Sequence, residues 1–212
     1  MSLNVSKLTN DLKRKILTGE LNPGEALRQE DIAGRYQISR MPVREALKEL
    51  QSLGLVDFIP NKGAFVAKLD LLEFRENVEM RASAEGLALK LAIPELSNRQ
   101  IETATQINEE LRTCALSEFS NKNREFHSAL YLPCNRPRLL AHIEILNDIA
   151  DRYLQYAVTY PDQQDTTYNE HKQILKACGD RNMALAEDIL YRHITAIGEL
   201  IEKSLQSDEV TK

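Results

Sequence analysis

A mainly α fold is predicted, an N-terminal winged helix-turn-helix followed by an antiparallel bundle of about six helices. Three features of the sequence predict it. Between Leu27 and Val66 the apolar spacing changes from helical to alternating, which writes two short helices and a hairpin. From Leu71 to Lys212 there is no strand pattern and no internal repeat. That stretch has only helical spacing, interrupted at Pro94, Pro133, Pro137, Pro161 and Gly179-Asp180. Charge divides the chain in the same place: residues 1–69 hold 11 Lys and Arg against 8 Asp and Glu, net +3, and residues 70–212 hold 16 against 24, net −8. Residues 1–69 are therefore read as a DNA-binding domain and residues 70–212 as an all-helical domain, joined by the short linker Lys68-Leu69-Asp70.

Taken in order, Val5, Leu8, Leu12, Ile16 and Leu17 give an amphipathic helix over 6–18, ended by Gly19, and Leu21-Asn22-Pro23-Gly24 is a turn. Ile32 and Ala33 belong to a short helix that faces Ile38 across the turn. Ser39 is placed to cap the next helix with its hydroxyl, and Pro42 falls in the first turn, where a missing N–H costs little. Val43, Ala46, Leu47, Leu50 and Leu53 are the buried stripe of that helix, and Gly54 supplies a left-handed cap. Strands follow at 56–59 and 64–67 around the turn Pro60-Asn61-Lys62-Gly63. In the second domain, helices are expected over 71–92, 97–116 (capped by Ser97), 118–132, 138–160, 166–178 and 183–205, with a polar tail after Leu205.

The composition narrows the function. No apolar run approaches the roughly 20 residues of a membrane helix, and mean hydropathy is −0.40. Met1 to Lys7 lacks the features of a secretory signal, and Cys114, Cys134 and Cys178 are odd in number with no CxxC pair. Reduced thiols in a cytoplasm fit best.

The net positive charge of the first domain points to a polyanion. Arg40 and Arg44 stand four apart at the start of a recognition helix, where arginine makes bidentate contacts to guanine in a major groove. Lys62 and Gly63 at the wing tip reach a phosphate or a minor groove. Ser39 and Pro42 shape the same helix start. A charge of +3 is modest, so a homodimer on a palindromic duplex is expected.

In the second domain the informative residues are histidines. Of four in the chain, His142 has no partner in register. Asn123 and His127 share one helix face at i, i+4, and His171 and His193 lie at matching heights on helices joined by a tight turn. Three converging imidazoles form a candidate site for Zn, Ni, Mn or Fe. Glu170 is expected to point elsewhere on its helix. Arg81 faces inward in helical phase, either to bind an anionic effector or to pair with Glu85 four residues on.

The residues also carry a resemblance. Pro23-Gly24, Leu27, Ile32-Ala33, Ser39-Arg40, Pro42-Val43-Arg44-Glu45-Ala46-Leu47, Gly54-Leu55 and Gly63-Ala64-Phe65-Val66 resemble the N-terminal domain of the GntR family of bacterial transcription regulators. Many relatives carry a third DNA-reading arginine before the turn; this chain has Arg28, Gln29 and Glu30 there, and Arg28 is the candidate. The second half, through Arg81, Glu85, Glu125-Phe126-His127, Glu170-His171, Gly179-Asp180 and His193-Ile194, is similar to the FCD domain of the FadR subfamily, VanR-like group. That resemblance implies a DNA-binding regulator, usually a repressor, controlled by a small organic acid. It also implies a metal held by an aspartate and three histidines, which map to positions 123, 127, 171 and 193. Asn123 stands in the aspartate's place, which removes a negative ligand and leaves charge for an anionic effector to balance.

Two other functions fit the same residues. One is a DNA-binding regulator whose helical domain is a metal-free dimerisation module. The other is a metal-dependent hydrolase, against which stand the missing HExxH, G-x-S-x-G and phosphate-binding glycine motifs.

Overall fold

The computed structural model describes residues 4–154 and 163–209. Its contacts divide the chain into two units, Met1–Glu73 with Asp151–Tyr156, and Phe74–Ala150 with Ala157–Lys212.

The first unit begins with α1 (Val5–Leu17), α2 (Gln29–Tyr36) and α3 (Arg40–Ser52), followed by strands β1 (Val56–Ile59) and β2 (Gly63–Val66). Leu8, Leu12 and Ile16 recur at helical spacing on α1 and are buried against Val43, Ala46, Leu47 and Leu50 of α3. Gly54 follows α3 at φ 69°, a conformation that costs glycine little and turns the chain into the hairpin. β1 and β2 pair antiparallel with Val56 opposite Val66 and Ile59 opposite Gly63, so the second strand starts one residue earlier than the expected 64–67. Ala26 adds an isolated bridge to Phe65.

Ser39 is the N-cap of α3, but its side chain makes no cap hydrogen bond. Part of the reason lies three residues on. A serine cap accepts from the amide of the second or third helical residue, and here the third is Pro42, which has no N–H. The proline that marks the helix start removes one of the two donors, and the other, the Met41 amide, makes no bond to the serine.

The first unit also takes in the segment from Asp151, which the sequence reading assigned with the rest of its helix to the second domain. Arg152, 4% exposed, donates to the carbonyls of Gly54 (3.1 Å) and Ala67 (2.6 Å). The Tyr153 hydroxyl donates to the carbonyl of Asp70 at 2.9 Å and accepts from its amide at 3.1 Å. These bonds satisfy backbone groups at the base of the wing.

The helices of the second unit are α4 (Leu71–Ala92), α5 (Asn98–Thr113), α6 (Leu116–Tyr131), α7 (Pro137–Leu154), α8 (Gln163–Gly179) and α9 (Met183–Glu209), the ends of α4 and α7 belonging to the first unit. Within the second unit α5 packs on α6 and α8, and α8 on α9. Ser97 forms a capping box with Gln100, which starts α5 cleanly. α5 stops at Thr113 rather than 116, because Cys114 and Ala115 are extended where no Gly or Pro announces a break. Short 3-10 turns at Ile93–Glu95 and Leu132–Cys134 carry the prolines at 94 and 133. The last helix runs to Glu209, beyond the expected end at 205. The expected stretch of helix over 155–160 and the break at Pro161 lie outside the described residues.

Candidate metal centre and nucleic-acid interface

α6, α8 and α9 each present one histidine to a shared interior point. His127, His171 and His193 are 3%, 0% and 2% exposed, and one ligand atom from each lies within 4.8 Å of the others. Their ring centroids are 4.9 Å (127 to 171), 5.3 Å (127 to 193) and 4.9 Å (171 to 193) apart. Phe126, fully buried, stacks on the His171 ring at 3.8 Å and fixes its plane.

Each imidazole is held by its Nδ1. His171 Nδ1 lies 2.9 Å from Asn108 Oδ1, and the Asn108 amide is oriented by its own donation to the Tyr168 carbonyl at 3.1 Å. An amide oxygen only accepts, so His171 carries its proton on Nδ1 and a lone pair on Nε2. Tyr131 donates its hydroxyl to Glu85 Oε2 at 2.8 Å, so the 3.1 Å contact with His127 Nδ1 runs from imidazole to phenol oxygen. His193 Nδ1 meets Glu170 Oε2 at 2.6 Å. His127 and His171 therefore turn Nε2 lone pairs to the interior, the form a metal ligand needs, and the Glu170 contact leaves His193 Nε2 as the nitrogen free to face them.

The interior side of this cluster has no protein partner to offer them. Buried polar atoms without a hydrogen bond among the described residues include His127 Nε2, His171 Nε2 and Asn123 Oδ1. Thr167 Oγ1, one turn before His171 on the same face of α8, is another. Such orphans are rare in folded proteins and cost about 1–3 kcal/mol each when nothing binds them. Burial first, and the His193 imidazole and Arg81 after it, hold His127 well below the ordinary 6.5; burial and the other two imidazoles do the same for His171. Both stay neutral and able to ligate. Burial pushes the Cys178 thiol up to about 12, and among the described residues the group that could hold a metal ion is the three histidines.

Several expectations change here. Glu170 was expected to point away from the cluster; it reaches His193 because α9 packs on the side of α8 that Glu170 occupies. Arg81, half-buried, donates Nε to Glu85 Oε1 at 2.9 Å, which is the i, i+4 pairing, and Glu85 is fully buried. Asn108, Tyr131 and Phe126 were not anticipated. His142 is exposed and apart from the cluster.

In the first unit the structure brings Arg28, Arg40, Lys62 and Gly63 to one recess between the start of α2, the start of α3 and the wing. Gly63 has φ 101° with nothing within 4 Å of where a Cβ would stand, so glycine there serves the turn and leaves the wing tip open. Arg44 is exposed one turn along α3, and Ser39 is exposed at its start. Pro42 sets the first turn. Arg40 is not alone: its Nη2 lies 2.8 Å from Glu30 Oε1.

No described helix is long and apolar enough to cross a membrane. The model of the gntR family of bacterial regulatory proteins matches residues 4–66, and that of the FCD domain matches residues 76–196. The HTH-type transcriptional repressor GlaR of Escherichia coli is 26% identical over 206 residues, covering 92% of this chain and 94% of that protein. The solved structure of E. coli McbR/YncC superposes with TM-score 0.80 at 23% identity, over 96% of this chain and 99% of that one. A GntR family regulator from Pseudomonas syringae superposes with TM-score 0.60 at 27% identity, over 98% and 88%.

Proposed function

The chain belongs to the GntR family of bacterial regulatory proteins, with an FCD domain after its winged helix, and on that premise we propose that it is a cytoplasmic repressor governed by a small carboxylate bound at a metal ion. It is a DNA-binding transcription regulator and not an enzyme. Repression is taken from the printed name of GlaR, which states it for that protein.

The observation that carries the metal reading is the convergence of three buried imidazoles, with His127 Nε2, His171 Nε2 and Asn123 Oδ1 lacking a partner among the described residues. His127, His171 and His193 would hold a divalent ion such as Zn, Ni, Mn or Fe, with Asn123 Oδ1 as a neutral fourth donor. Bound there, the ion supplies a Lewis-acidic anchor for an anion. Four neutral donors leave its charge uncompensated, so a carboxylate is the ligand the site favours. Arg81 gives Nε to Glu85 and keeps both Nη groups for that acid.

On DNA, Arg40 and Arg44 read base edges with Arg28 as the third candidate reader, Ser39 and Pro42 shape the start of the recognition helix, and Lys62 and Gly63 approach the backbone or minor groove at the wing. A homodimer places two such units on a palindrome. Met80 and Leu87, 47% and 46% exposed two turns apart on α4, supply apolar surface for it. Effector binding shifts operator affinity by its differential affinity for the two states.

The test is metal content by plasma mass spectrometry of protein purified without affinity tag or chelator, beside His127→Ala. Near-stoichiometric metal that the variant loses supports the reading. No metal in either sample after incubation with Zn, Ni and Mn salts leaves the helical domain as a metal-free dimerisation module.

A further inference from the structure

Glu30 is an acid set among the cations of the DNA-facing recess. It sits in the first turn of α2, and its Oε1 lies 2.8 Å from Arg40 Nη2, with the two side chains 69% and 68% exposed. The pair lines that recess with Arg28, Lys62 and Gly63. An ion pair this open adds at most about 1 kcal/mol, so it is not what joins α2 to α3. Ile32, Ala33, Val43 and Leu47 do that from the core. Nor does the positive end of α2 explain it, because Asp31 occupies the same first turn and has no ion pair among the described residues.

What the pair changes is Arg40. A guanidinium carries its N–H donors in a planar fork, and a carboxylate on one nitrogen leaves the other edge to meet the acceptors of a base. The same carboxylate cancels the charge that would draw Arg40 to any phosphate. Arg44, one turn along the same face, has no ion-pair partner among the described residues. The helix thus presents one buttressed arginine and one unrestrained arginine.

We propose that Glu30 is a specificity-determining positioning residue, which holds Arg40 in the orientation that reads a guanine edge and withholds it from the phosphate backbone. This rests on the reading of Arg40 as a DNA-reading residue, so the experiment separates the two. Full-length wild type, R40A, E30Q and the double variant are each taken through selection from a randomised duplex library. Each is then titrated against the selected duplex and a scrambled one over a range of salt.

R40A is expected to abolish preference at one base pair of each half-site. E30Q is expected to weaken preference at that same pair by about fivefold or more, a fraction of what a good bidentate contact discriminates. It should also tighten binding to the scrambled duplex about threefold, with a salt slope steeper by roughly one. The double variant should match R40A. If E30Q keeps the wild-type preference while R40A loses it, Glu30 is only a solvated carboxylate and the proposal fails, with Arg40 untouched. An E30Q effect at a different base pair, or additive with R40A, gives Glu30 a base of its own and overturns the positioning role. No effect of R40A removes the reading of Arg40 and the proposal together.

Discussion

Arg40 and Glu30 on the winged unit stand 68% and 69% exposed, whereas His127, His171 and His193 in the bundle are 3%, 0% and 2% exposed. Both regions gather polar groups for a partner, but the environments divide the work differently. At the wing and recognition helix, water solvates the cations until DNA replaces it, so the folded state loses little by displaying them. In the bundle, burial keeps His127 and His171 neutral and leaves their Nε2 atoms, with Asn123 Oδ1, without a partner among the described residues. Under the proposed function, one region reads a partner by charge and reach, the other by a preformed arrangement of donors.

That contrast predicts a ranking of effects. Removing a proposed ligand should act most strongly: His171→Ala is expected to lower divalent-metal affinity by more than about 100-fold, measured by competition with a chromophoric chelator. An unchanged affinity would take His171 out of the site. Asn108→Ala leaves all three rings in place but frees the His171 tautomer, and a loss of about 10–100-fold is expected in the same assay. Affinity equal to wild type would mean the Asn108 bond does not direct the ring.

On the exposed side, Arg44→Ala should cost about 1–3 kcal/mol at a single base position in mobility-shift titrations, with no change in thermal stability. A uniform loss across all sequences would make Arg44 a phosphate contact instead.

Burial of neutral histidines also gives a pH signature that the winged unit lacks. His127 and His171 are depressed below 6.5 in the folded chain, so below that pH the unfolded state takes up protons that the folded state refuses. Their contribution is intact above 6.5 and falls with acidification below it. Urea titrations of metal-free protein check this; a stability flat below that pH would mean the cluster opens to water. The smallest effect is expected at the wing tip, where Lys62→Ala should reduce the salt slope of DNA binding by roughly one and weaken it similarly on all sequences.

How much of each region the sequence disclosed follows from the same physics. The helix starts, the stripe of α3, the left-handed Gly54 and the wing turn are set by residues within a few positions of one another, and spacing alone located them. The same local reasoning misjudged Ser39, since it treated the cap and the proline as independent signals when Pro42 occupies one donor position of the cap. It also missed the break at Cys114-Ala115, which carries no turn residue.

For the bundle, the i, i+4 spacing of Asn123 and His127 and the matched heights of His171 and His193 placed the candidate donors, because each relation spans one helix or one tight turn. Tyr131 lies one turn from His127 on α6, but the other partners that orient those donors come from elsewhere: Glu85 on α4, which takes the Tyr131 proton, Asn108 on α5, and Glu170 on α8 reaching across to α9. Their roles depend on which helix lies beside which, and helical periodicity is silent about neighbours. The sequence by itself determined the elements, the charge division and the candidate ligands, since these are written in local spacing and composition. The tertiary structure alone decided which nitrogen of His127 and His171 is bare, because Asn108, and the Glu85 carboxylate that takes the Tyr131 proton, lie many residues away.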